Sequence, residues 1–191
     1  MDNIIKYSFW YWKNLISLNK IKLINKTILK QNLVVQPKEY AAHDGENKNK
    51  KNLHCYLLEY NKIKPLLFEY VEQFVRCNEI NFGFDVFNLK DFTILNYNIY
   101  DSKNKANYDW HVDQSTSLVT DFKLTCLINL SEKKFEGGDF ILYDGNEVNV
   151  PEFKEPGSVF MFRSHILHKV TPVTSGVRKT LTIFLEGPRL R

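Results

Sequence analysis

From about residue 82 onward the chain is written as short β-favouring runs broken by turn signals, and this cadence most narrows the possible folds. The runs cover 84–88, 91–100, 122–130, 139–143, 147–150, 158–163, 167–173 and 179–185. Between them stand Gly137-Gly138, Asp144-Gly145, Pro156-Gly157 and Ser175-Gly176. Such dipeptides supply the free or preset dihedrals that tight turns require. Many strands at such short spacing predict a sandwich or barrel, and a jelly roll is the form favoured.

The first half reads differently. Tyr7-Ser8-Phe9-Trp10-Tyr11-Trp12 is an aromatic run suited to a short buried strand. Ser17 has the character of an N-cap, and Leu18, Ile21, Ile24 and Ile28 follow at helical spacing. Lys20, Lys22, Lys26 and Lys30 lie mostly off that stripe. Such a basic face can meet a membrane or phosphates, but a solvated outer face is the plainer reading. Residues 44–52 hold no apolar side chain and read as a loop, with His43 and His54 solvated beside it. A second helix is expected from Pro65, with Leu66, Leu67, Tyr70, Val71, Phe74 and Val75 as its apolar face. The class is therefore α+β but mainly β, with N-terminal helices packed on a β-sandwich.

Composition limits the alternatives. A chain of 191 residues is enough for one core and too short for two full-sized ones. One domain over 1–191 is expected, with a helical or mixed part at 1–81 and a β-sandwich catalytic core at 82–191. An apolar content of 43% excludes wholesale disorder. No run approaches the length of a membrane span. Lys plus Arg number 26 against 22 Asp plus Glu, too mild an excess to imply a stable nucleic-acid partner. Cys55, Cys77 and Cys126 are odd in number and widely spaced, which argues against a disulfide framework or thiolate zinc site. The N-terminus, Met1-Asp2-Asn3-Ile4-Ile5-Lys6, lacks an apolar signal region, so a mature cytoplasmic protein is expected.

One constellation carries chemistry. His111 and Asp113 form an H-x-D pair in Tyr108-Asp109-Trp110-His111-Val112-Asp113. On an extended segment such residues project to one side. His168 follows after a long stretch of strands, and Arg178 stands ten residues later at the start of the last apolar run. Two imidazoles and one carboxylate on one face of an ion suit non-haem Fe(II), because open positions remain for a chelating co-substrate and dioxygen. His165 is a rival for the second imidazole, but on a strand it faces away from His168. Cys126 reads as a small core residue, and Phe160, Phe162, Ile183 and Phe184 read as core.

These residues resemble the 2-oxoglutarate- and Fe(II)-dependent oxygenases, specifically the prolyl 4-hydroxylase-like branch. The resemblance spans about 82–188. It rests on Tyr97, the H-x-D segment, Phe135-Glu136-Gly137-Gly138-Asp139-Phe140, Pro156-Gly157-Ser158, and Leu167-His168-Lys169-Val170-Thr171-Pro172-Val173 with Gly176 and Arg178. It implies a double-stranded β-helix with helices on the larger sheet. It also implies His111, Asp113 and His168 as iron ligands and Arg178 as the anchor for the far carboxylate of 2-oxoglutarate. Tyr97 and Thr182 would support the co-substrate, while Tyr108 and Trp110 would border the substrate.

The implied reaction is hydroxylation of prolyl residues in a peptide or protein, with O2 consumed and succinate and CO2 released. Ascorbate is an optional reductant. A free amino acid or other small metabolite is the alternative substrate, and nucleic-acid demethylation is less favoured because no second arginine closely follows Arg178. The sequence departs from the family in a polar insert, 101–105, between Tyr97 and Tyr108. It also departs at Asn129, read as the position where some relatives place a co-substrate tyrosine. The oligomeric state is not encoded legibly.

Overall fold

The computed structural model describes residues 7–36, 51–115 and 117–189. The polar stretch 44–50, His43 and the hexapeptide Met1–Lys6 lie outside those residues.

The chain opens with β1 (Phe9–Trp12), α1 (Leu18–Leu29), β2 (Val34–Val35), β3 (Lys51–Asn52), β4 (His54–Glu59) and α2 (Lys64–Cys77). There follow β5 (Ile94–Asp101), β6 (Asn107–His111), β7 (Thr120–Asn129), β8 (Glu136–Gly137) and β9 (Phe140–Tyr143). The last strands are β10 (Glu147–Asn149), β11 (Val159–Arg163), β12 (His168–Val170), β13 (Val173–Ser175) and β14 (Val177–Pro188). A major sheet runs β1-β11-β7-β14-β5-β4-β2, and a minor sheet runs β10-β9-β12-β6-β3. All their pairings are antiparallel. The architecture is a jelly roll.

Two apolar layers hold it together. Between the sheets, Leu127, Phe160 and Phe162 of the major sheet meet Phe140, Leu142 and Val170 of the minor one. On the other face of the major sheet, Ile21, Ile24 and Ile28 of α1 and Leu67, Val71 and Phe74 of α2 cover Leu95, Cys126 and Ile183. The helical spacing read from the sequence is thus the stripe each helix turns to the sheet, with Leu66, Tyr70 and Val75 half-buried at its margin and Leu18 exposed. Ser17 caps α1, its Oγ accepting the Lys20 N–H at 3.3 Å.

The structure differs from expectation in three places. Residues 84–88 form no strand, although the Phe87 N–H donates to the Glu186 carbonyl at 2.7 Å. The first part, expected as helical or mixed with one strand at 7–12, also supplies β2, β3 and β4, with β4 paired directly to β5. The run 167–173 splits at Thr171-Pro172, where proline has no N–H for a ladder. β12 stays in the minor sheet, while β13 pairs with β8. No helix among the described residues is long and apolar enough to cross a membrane.

Candidate metal centre

The register of the minor sheet brings the two histidines together. His168 of β12 is the cross-strand partner of His111 of β6, and their ring centroids lie 4.1 Å apart. Asp113 lies two residues past the end of β6, where its N–H donates to the Ser164 carbonyl at 3.0 Å. Its carboxylate then faces both rings, 3.8 Å from His111 Nε2 and 3.5 Å from His168 Nε2. One donor atom from each of the three residues lies within 4.8 Å of the others. His165 is exposed and outside this group.

Each member is oriented from behind. His111 Nδ1 is 2.7 Å from the Asp109 carbonyl, and His168 Nδ1 is 2.8 Å from the Ile166 carbonyl. A carbonyl only accepts, so Nδ1 donates in both rings, and Nε2 is the ring nitrogen that faces Asp113. The Thr125 hydroxyl donates to Asp113 Oδ2 at 2.8 Å. Its oxygen is 2.9 Å from Ser164 Oγ, which therefore donates to it. Second-layer bonds of this kind fix ligand geometry. The donor set fits a facial two-histidine, one-carboxylate site for Fe(II).

Tyr108 joins His111 through a bulge. His168 pairs with His111 but Val170 pairs with Tyr108, so β6 carries one extra residue across this step. The bulge places Tyr108 and His111 on the same face, their rings stacked 3.4 Å apart at 11°. Burial, reinforced by the Asp113 charge, pushes the Tyr108 phenol above its ordinary pKa. Trp110 points the other way, lying edge-on to Tyr143 under the Lys169 ammonium. Its expected place beside the substrate is corrected accordingly, since it does not line the cavity.

Arg178 lies on β14 and is 2% exposed. Its guanidinium carbon sits 4.8 Å from the Tyr100 ring and 5.6 Å from the Phe153 ring. Nη2 is buried without a hydrogen-bond partner, and among the described residues no carboxylate pairs with the guanidinium. Burial lowers its pKa, opposed by the neighbouring Tyr100 phenol and the Asp139 charge. A buried cation facing a cavity in this state calls for an anionic ligand. Gly138 packs against it at φ +60°, and a Cβ there would sit 3.0 Å from Arg178 Cδ.

Tyr97 is a correction. Directly paired residues of antiparallel strands share a face. Tyr97 pairs with Leu181, whereas Tyr100 pairs with Arg178. Tyr97 therefore lies in the helix-side core, its hydroxyl donating to Asn25 Oδ1 at 3.1 Å. Tyr100 is the tyrosine beside Arg178, missed because the alternation was not anchored to the β5–β14 register. Thr182 does line the cavity, with its Oγ accepting from the Asn98 amide at 3.0 Å. Thr180 lies between Arg178 and Thr182 on the same cavity-facing side. Asn129 instead donates to the carbonyls of Phe153, Lys154 and Glu155, and Leu127 is the cavity residue of β7 nearby.

These residues line a cavity of about 1380 Å³ that begins at Arg178 and the histidines. It continues along the inner face of the major sheet toward Ile94, Phe92 and Gln36. Phe184, expected in the core, lies in this cavity, stacked on Phe122 at 4.1 Å.

A jelly roll with two histidines and a carboxylate converging beside a buried arginine is the architecture of a non-haem metal protein. Residues 93–186, just under half of the chain, match the model of the 2OG-Fe(II) oxygenase superfamily. A PKHD-type hydroxylase of Synechococcus sp. (strain CC9605) is 37% identical over 84 residues, 42% of this chain and 37% of that relative. The match thus spans well under half the relative's length. Among solved structures, a Pseudomonas putida prolyl-4-hydroxylase superposes with TM-score 0.65 at 14% identity, covering 97% of this chain and 94% of that one. A prolyl hydroxylase from Trichoplax adhaerens, in complex with a hypoxia inducible factor oxygen degradation domain peptide fragment, gives TM-score 0.66 at 14% identity, covering 93% and 83%. At such identities these structures speak for the fold.

Proposed function

We propose that this protein is an Fe(II)- and 2-oxoglutarate-dependent dioxygenase that hydroxylates prolyl residues of a peptide or protein. One observation carries the reading: a His-Asp-His cluster shares a cavity with a buried guanidinium whose Nη2 has no hydrogen-bond partner. His111, Asp113 and His168 would hold the iron. Arg178 would bind the far carboxylate of 2-oxoglutarate through a planar, geometry-fixing pair of hydrogen bonds. Tyr100 takes the supporting role first given to Tyr97, and Thr180 and Thr182 offer hydroxyls along the same strand.

Bound iron, with 2-oxoglutarate and dioxygen, supplies the oxidative decarboxylation to succinate and CO2 and the insertion of one oxygen atom into a substrate C–H bond. The protein's part is positional. The Nδ1 bonds and Thr125 hold three donor atoms toward one point. Leu127 and Phe140 add apolar walls to the same cavity. Tyr108 braces His111 and borders the space above it. A zinc hydrolase on the same donors would leave the buried arginine without a task.

A peptide is favoured over a small metabolite because the cavity exceeds the roughly 300–1,000 Å³ usual for small-molecule pockets. The peptide bound by the Trichoplax neighbour supports the same choice. We take 1–191 as one domain, since strands from before residue 82 are built into both sheets. The odd number and wide spacing of the cysteines support a reducing setting. The test is incubation with Fe(II), 2-oxoglutarate and prolyl peptides, with and without ascorbate. Succinate should form together with a peptide heavier by one oxygen atom. Absence of 2-oxoglutarate turnover would overturn the oxygenase reading.

A further inference from the structure

We infer that the outer arm of the cavity is a subsite for a large apolar side chain of the substrate peptide, set apart from the residue that is hydroxylated. The inference rests on the peptide-hydroxylase reading above and adds a sequence preference to it. Its walls are Gln36, Leu57, Phe87, Phe92 and Ile94, with Lys90 at the rim. All but Ile94 lie outside the family-matched segment 93–186.

Phe92, Phe87 and Ile94 are 69%, 46% and 45% exposed, an arrangement that leaves apolar surface in water at the mouth of the cavity. Clustered apolar exposure marks a binding surface. The Lys90 ammonium lies 5.6 Å from the Phe92 ring, which keeps its charge at the edge of the patch. The arm is continuous with the space above the metal centre, so a ligand in one can reach the other. Between them the sheet presents the half-buried Asn96, a side chain suited to hydrogen-bonding a peptide backbone.

Strand spacing sets the separation. Thr125, which touches Asp113, is on β7. In the sheet order β14 lies next to β7, then β5 with Ile94, then β4 with Leu57. Two to three spacings of about 4.8 Å place the arm roughly 10–14 Å to the side. An extended peptide rises about 3.3 Å per residue, so the apolar side chain belongs three or four positions from the target proline.

The test uses Gly/Ser peptides with one central proline and a single Phe placed one to six positions away on either side. Succinate release and oxygen incorporation are measured for each peptide. The Phe peptide at three or four positions on one side should show a KM about tenfold or more below the all-Gly/Ser peptide. Phe92→Ser and Ile94→Ser should collapse that ratio toward one. Reading the effect as a ratio between two peptides on the same variant cancels any general fall in turnover, and both side chains are exposed enough to be replaced without loss of core. Fluorescence anisotropy of labelled peptides should show the same preference in binding. Hydroxylation with a flat positional profile would remove the subsite while keeping the peptide reading. Succinate formation with no peptide oxidised at any position would overturn both.

Discussion

His111 and His168 are direct cross-strand partners of β6 and β12, so their convergence is set by sheet register and not by a flexible loop. A slip of one residue would turn one imidazole to the opposite face. The same strands leave Asp113 just beyond β6, where the exit of β11 and the Thr125 hydroxyl hold it against both rings.

Asp113→Ala is therefore expected to abolish turnover and metal retention while keeping the fold. Asp113 belongs to neither core layer, so far-UV circular dichroism and cooperative melting should persist. Metal content after desalting checks the first claim. Retained iron at wild-type stoichiometry would remove Asp113 from the ligand set.

Thr125→Val keeps the shape of the side chain and deletes the hydroxyl that donates to Asp113 Oδ2. Loss of such an outer bond typically weakens metal binding or activity about 10–100-fold. Chelator competition should show the loss in iron affinity.

Tyr97→Phe and Tyr100→Phe separate the two tyrosines. The first removes a buried hydroxyl from Asn25 and should cost about 1–2 kcal/mol of stability, with the 2-oxoglutarate KM unchanged. The second should raise that KM several-fold, on the order of one lost hydrogen bond. The reverse pattern would mean that the co-substrate lies on the helix side of β5.

Alkaline stability follows from the same residue. Burial, opposed by Arg178, pushes Tyr100 up to about 12. Because the folded pKa is raised above the unfolded value of about 10, Tyr100 contributes full stability below pH 10 and loses it as pH rises toward 12. The urea midpoint should fall between pH 9.5 and about 11.5, and Tyr100→Phe should make that decline shallower.

The alternation of apolar runs and the glycine turns were sufficient to read the sandwich, and side-chain type with spacing was sufficient to single out His111, Asp113, His168 and Arg178. Facing relationships were not legible where they depend on long-range register. Tyr97 was misplaced because the phase of β5 depends on its pairing with β14, a long-range fact. Phe184 and Phe122 face the cavity together because β7 slips by one residue opposite Leu185 and Glu186. β4 went unseen because His54-Cys55-Tyr56-Leu57-Leu58-Glu59 has no clean alternation and gains its strand character from β5. Trp110 was named by adjacency to His111, and neighbours on a strand face apart.

Arg178→Met is expected to raise the 2-oxoglutarate requirement while leaving the ligand-free protein at least as stable. In the resting fold the guanidinium is buried between Tyr100 and Phe153, with Nη2 unbonded and no carboxylate partner among the described residues. Keeping a charge in that condition costs stability, and an apolar residue of similar length removes the cost. The co-substrate's carboxylate would supply the missing acceptor, so the wild type should gain about 2.7 kcal/mol from 2-oxoglutarate at a hundred times its Kd. The variant should gain almost nothing at that concentration, yet hold iron normally. Thermal melting with and without 2-oxoglutarate, alongside metal content, reads all three outcomes. A variant that melts far below the wild type without ligand, yet still responds to 2-oxoglutarate, would make Arg178 a structural cation held by its aromatic neighbours, with the carboxylate anchored elsewhere in the cavity.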